Sequence, residues 1–129
     1  MARDLACLPK AHLHLDGAIR RSTLAELAAE AGIEAPLPSG YGSFDDFTAT
    51  ITAAASCLRT DTDVARVIGE IAEDAAGAGA VWVEVSVWPG LFAGRLGPNE
   101  QVVSTLAQAA RATGAGHGVG VVLVLVFPA

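Results

Sequence analysis

His12-Leu13-His14-Leu15-Asp16-Gly17 is the stretch on which the reading of the chain turns. In an extended strand alternate side chains face the same way, so His12, His14 and Asp16 share one face while Leu13 and Leu15 share the other. The leucines suit a packed side; two imidazoles and a carboxylate on the opposite side suit chemistry. Gly17 lets the chain turn sharply off the strand. Two neutral imidazoles converging on one point are half of a zinc site, which takes N, S or O ligands at about 2.0–2.3 Å. Two ordinary histidines at a strand end have the same pattern, because alternation puts any i, i+2 pair on one face. The pair alone leaves both readings open.

Outward from this stretch the chain reads as scaffold. Thr23 and Glu26 have capping-box spacing, and Leu24, Leu27, Ala28 and Ala31 recur at helical spacing until Gly32. Pro36, Pro38, Gly40 and Gly42 mark a loop, and Ser43 offers the next cap. Phe44, Phe47, Ile51 and Leu58 fall on one helical stripe behind Asp45 and Asp46. A third helix restarts near Thr60 and Asp61, with Val64, Val67, Ile68, Ile71 and Ala75 on its apolar face, and stops at Gly77 and Gly79.

The period then changes to two. Val81 to Pro89 alternates strictly, with valines on one face and Trp82, Glu84, Ser86 and Trp88 on the other, which predicts a strand. After a loop from Gly90 to Pro98, Asn99 can cap a helix carrying Val102, Val103, Leu106 and Ala110 and closing near Gly114. Val119 to Phe127 is an almost unbroken apolar run, as expected of a parallel strand buried on both faces. Strand, helices, strand, helix, strand, with long crossovers and no tight hairpin signal, is an α/β order. It suits a small doubly wound sheet or the first part of a (β/α)8 barrel. The lack of a Gly-rich phosphate fingerprint after any strand counts against a nucleotide-binding open sheet.

Composition narrows the function classes. Fourteen acidic against eight basic residues give a formal charge of −6, which argues against nucleic acid or an anionic membrane as a partner. With 52% hydrophobic residues the chain is long and apolar enough to fold. Cys7 and Cys57 form no C-x-x-C and read as reduced, cytoplasmic thiols. Met1 to Asp4 has no apolar run behind it, so no signal peptide is expected, and Val119 to Phe127 is too short to span a bilayer as a helix.

The run Leu8-Pro9-Lys10, His12 to Arg20, and a helix opening at Ser22-Thr23-Leu24 resembles the first strand and helix of the adenosine deaminase family, which belongs to the metal-dependent amidohydrolases. The Phe44…Phe47 helix, the Val83-Glu84-Val85 strand ended by Pro89 and the apolar last strand also resemble pieces of that family, less specifically. The resemblance implies an α/β fold comprising the first three βα units of a (β/α)8 TIM-type barrel. Such a barrel usually runs to about 250 residues, so the 129 residues are expected to form the amino-terminal part of a single deaminase barrel domain. It also implies that His12 and His14 are metal ligands for one divalent ion, zinc, and that His14 and Asp16 contact the substrate. The implied reaction is hydrolytic deamination of a 6-aminopurine nucleoside, with ammonia leaving. Adenine, a nucleotide or an aminofutalosine-like intermediate are the alternative substrates.

The general acid or base and the remaining ligands are expected beyond Ala129, with no catalytic residue in this stretch. His117, in Gly116-His117-Gly118, reads as a surface turn residue at the opposite end of the barrel. Glu84 reads as a structural hydrogen-bonding residue or as support for the histidines, and Trp82 and Trp88 as packing or as stacking surfaces. Lys10 and Arg20 read as solvated chain ends. Trp88 to Leu96 is expected at the pocket rim. The rival to an enzyme is a non-catalytic interaction module, whose open strand edges leave room for self-association.

Overall fold

A computed structural model describes residues 10–15, 17–36, 43–92 and 96–126, with the side chains of 10–12, 44, 47, 114 and 115 outside the description. Its elements follow the order β1 (Lys10–His14), α1 (Arg21–Ala31), α2 (Phe44–Ser56), α3 (Asp61–Gly77), β2 (Trp82–Val87), α4 (Asn99–His117) and β3 (Gly120–Leu125). The three strands form one parallel sheet in the order β1-β2-β3. Each crossover carries at least one helix, as parallel pairing requires. Sequential strands that neighbour in space are the repeat from which a (β/α)8 barrel is built, and the sheet is three strands of such a barrel.

The core lies between the odd-numbered face of the sheet and the helices. Val83, Val85 and Val87 of β2 are buried there with Leu15, and Leu13, Val121 and Leu123 pack against them. From the helical side come Leu24 and Leu27 of α1, Val64, Val67, Ile68 and Ile71 of α3, and Val102 and Leu106 of α4. Fully burying each Val, Leu or Ile contributes about 1.5–3 kcal/mol, which makes this one contiguous cluster the main source of stability. Cys57 is buried within it, while Cys7 lies outside the described residues. No helix among the described residues is long and apolar enough to cross a membrane.

Several helix ends are as expected. Ser43 accepts the Asp46 N–H at the start of α2, and Thr60 and Asp63 form a complete capping box at the start of α3. Others differ. The Thr23–Glu26 pair is not a capping box: α1 begins a turn earlier behind Arg20, which gives no side-chain cap. Thr23 is buried inside the helix and donates its hydroxyl to Glu70 of α3, while Glu26 pairs with Arg66. The helix α4 runs through Gly114 to His117, with the Pro98 carbonyl accepting the N–H groups of Gln101 and Val102. His117 is exposed, and Gly118 turns the chain at φ 66° into β3.

The strand β3 is not buried on both faces. Its outer residues pack on α4, but Val122 is 49% and Val124 37% exposed on the even-numbered face. That face points into the barrel, where cover comes from whatever stands across it rather than from the strand's own helices.

Arg20 is not a solvated chain end. Its guanidinium grips Asp74 with two hydrogen bonds of 3.0 and 2.7 Å and Glu73 with one of 3.1 Å, and lies 3.8 Å from Glu70. The pairs Arg20–Asp74, Thr23–Glu70 and Glu26–Arg66 run up α1 and down α3, so the two helices are clasped antiparallel. The Arg20 hydrogen bonds hold the Asp74 carboxyl below the usual carboxylate range. A depressed carboxylate stabilises the fold above its unfolded pKa and loses that effect as pH falls through its folded value. Asp74→Asn is therefore expected to be slightly less stable than the parent at neutral pH and to converge with it below the usual Asp range. Urea unfolding of both proteins from pH 7 downward checks this; a gap that stays constant would mean the clasp contributes by packing alone.

Candidate functional site

The site is built at the carboxyl end of β1. Leu15 leaves the ladder by donating its N–H to Ser86 at 2.9 Å and buries its side chain in the core. The chain then turns, with Gly17 N–H donating to the His14 carbonyl at 3.1 Å and Ala18 to that of Leu15 at 3.3 Å. His14 is thus the last strand residue, on the face opposite Leu15, and its side chain is exposed. Position 12 lies one strand repeat away on the same face. Asp16, the third residue singled out on sequence, lies outside the described residues, as does the side chain of His12.

The parallel register fixes what stands beside these histidines. Lys10 pairs with Trp82, His12 with Glu84 and His14 with Ser86. On the far side Gly120 pairs with Trp82, Val122 with Glu84 and Val124 with Ser86. The even-numbered face therefore reads, row by row, Lys10–Trp82–Gly120, His12–Glu84–Val122 and His14–Ser86–Val124. Ser86 is buried, Glu84 and Trp82 are half-buried, and the Trp82 indole nitrogen has no hydrogen-bond partner among the described residues. At these register positions β1 and β2 carry the polar residues, and β3 contributes only small or apolar ones.

Beyond Ser86 the same face ends at half-buried Trp88. The Trp88 indole lies against Gly90, where an added Cβ would stand 2.7 Å from its ring nitrogen, so a side chain at position 90 would displace the ring. The segment expected at the rim is partly core. Pro89–Leu91 forms a single 3-10 turn, and Phe92 and Leu96 plunge into the main cluster, at 1% and 6% exposure. Sequence gave no sign of this, because a loop lacks the periodicity that marks buried positions.

No group of three or more His, Cys, Asp or Glu that could hold a metal ion occurs among the described residues. Histidines at positions 12 and 14, whose backbone positions share one strand face, supply nitrogen donors of the kind that fit a divalent ion such as zinc. His117 belongs to the end of α4 that feeds the start of β3, away from this end of the sheet.

The model of the family described as Adenosine deaminase matches residues 8–128. The chain belongs to the adenosine deaminase family. Within it, a provisionally named adenosine/adenine deaminase of Streptomyces virginiae is 37% identical over 132 residues, covering 92% of this chain and 39% of the relative. The chain thus spans about two fifths of the length of the curated relatives it matches. Among solved structures, the adenine deaminase of Arthrobacter aurescens has the same fold over 91% of this chain and 38% of its own, with a TM-score of 0.73 at 23% identity. An amidohydrolase of Burkholderia ambifaria with bound Zn gives a TM-score of 0.70 at 25% identity, over 92% of this chain and 35% of its own. In (β/α)8 barrels the reactive groups stand at the carboxyl ends of the strands, the end where His14, Ser86 and Trp88 lie.

Proposed function

We propose that this chain is the amino-terminal part of a single deaminase barrel domain and supplies the first-strand half of a site for hydrolytic deamination of a 6-aminopurine nucleoside. His12 and His14 hold one divalent metal ion, zinc, and His14 and Asp16 contact the substrate. The observation that carries the reading is the family match across both histidines, whose backbone positions share the barrel-interior face at the carboxyl end of β1. When bound, the metal would lower the pKa of a coordinated water toward neutrality. The chain's own part is to orient the two imidazoles, to present the Asp16 carboxylate to a substrate hydroxyl and to wall the pocket with Ser86 and Trp88. The proton-moving acid or base lies outside this stretch, and the protein works in the cytoplasm on a small-molecule purine.

Adenine stands as the second reading, favoured by a relative named for both adenosine and adenine. The test is a panel of adenosine, adenine, AMP, N6-methyl-AMP and aminofutalosine offered to the zinc-loaded whole gene product, followed by loss of ultraviolet absorbance and by ammonia release. Turnover of at least one aminopurine is expected. Failure with every one would overturn the enzyme reading and leave an interaction module, for which the exposed Val122, Val124 and Val126 supply an apolar surface.

A further inference from the structure

We infer that Glu84 is a positioning residue for the β1 histidines, accepting the ring N–H that a metal-bound imidazole turns away from the ion. The inference rests on the metal reading of His12 and His14 and adds to it a specific hydrogen-bond acceptor on the neighbouring strand.

Three observations converge on Glu84. First, the register pairs it with His12 across adjacent parallel strands, one row from the His14–Ser86 pair, so its carboxylate shares a face with both histidine positions. Second, its row is polar on one side only: the partner on β3 is Val122, with Val124 in the next row, and neither offers a donor. Third, the nearest indole is not its donor, because the Trp82 nitrogen has no hydrogen-bond partner among the described residues. The donors left on the face belong to β1, at Lys10, His12 and His14, together with the Ser86 hydroxyl and, two rows beyond Glu84 and turned against Gly90, the Trp88 indole.

A half-buried carboxylate on a strand whose alternate residues are buried valines needs such a donor to offset its lost hydration. A histidine ligand needs the complement, since the acceptor on its second nitrogen fixes the tautomer and ring orientation and raises the basicity of the first. A negative charge beside the pair also favours a doubly charged ion.

The rival partner is the Lys10 ammonium, which would make Glu84 half of an ordinary ion pair. Zinc affinity separates the two. On the whole gene product, zinc dissociation constants are measured by competition with a chromogenic chelator for the parent, Glu84→Gln and Glu84→Met, with the metal-free unfolding midpoint of each. Glu84→Met keeps the length but no strong acceptor and is expected to weaken zinc binding about 10–100-fold, the range for loss of an outer partner of a metal-bound histidine. Glu84→Gln keeps a carbonyl acceptor and is expected to fall between Met and the parent, with the metal-free midpoint of the Gln variant unmoved. Equal zinc affinity in all three, or affinity that falls only in step with the metal-free midpoint, would overturn the inference and leave a structural ion pair. A parent that binds no zinc would overturn the metal reading itself, and this inference with it.

Discussion

A His12→Ala, His14→Ala double variant of the whole gene product is expected to leave purification with its zinc content near zero, against about one ion per chain in the parent. The direction follows from the donor count. A catalytic zinc site keeps three protein ligands and one open position, so losing two imidazoles leaves at most one side chain on the ion. Outer-shell losses alone weaken such sites about 10–100-fold, and removing two direct ligands exceeds that. His14 is exposed at the end of β1 and does not belong to the hydrophobic core cluster. The metal-free unfolding midpoint is therefore expected to stay near the parent's, which separates loss of a site from loss of the fold. Metal content by mass spectrometry decides the matter. Equal zinc in parent and double variant would return the pair to ordinary strand histidines.

The second large effect is on stability. Phe92→Ala is expected to cost about 3–5 kcal/mol, the range for truncating a buried aromatic ring, and to lower the urea midpoint without changing its slope much. Phe92 is 1% exposed and belongs to the cluster that joins α1, α3, α4 and the sheet. Its truncation also removes the core anchor that follows the 3-10 turn of Pro89–Leu91. The comparison is Ile33→Ala, a large apolar residue left 42% exposed after α1, where a change within about 0.5 kcal/mol is expected. Similar costs for the two would mean that the segment does not rest on Phe92.

What could be read from the sequence follows how far each determinant reaches. The restart at Thr60 is set within four residues and the alternation of β2 is complete within Val83 to Val87, so both were legible, although the Thr60–Asp63 capping box that makes the restart was not named. The stripe on α3 was legible for the same reason, and all five of its predicted apolar positions are buried. Thr23 was misread because its partner is Glu70, on another helix, and a local motif offered a plausible substitute. Arg20 was misread likewise, since its acids stand at the far end of α3.

The exposure of Val122 and Val124 was illegible because an apolar strand encodes a demand for cover and not the element that meets it. At the site, alternation gave the shared face of positions 12 and 14, whereas the juxtaposition of Glu84 with His12 needed the register. The acid Glu70, which accepts from Thr23 and Arg66 at the middle of the clasp, was never singled out. Its i, i+4 spacing from Arg66 was the one signal on offer.

The parallel sheet also carries a consequence for the order in which the molecule assembles. The strands β2 and β3 are joined through one helix, α4, which contacts β3 as well as α3, whereas β1 must wait for α1, α2 and α3 to be laid down before Trp82 arrives to pair with it. Closing the longer span costs more chain entropy, and pairings distant in sequence form slowly. The β2–α4–β3 unit is the natural nucleus, and β1 the strand that docks late. The histidines therefore ride on the last piece to be seated, so an ion held by them would tie its binding to the final step of folding, and stripping it would loosen first the strand that carries the proposed ligands.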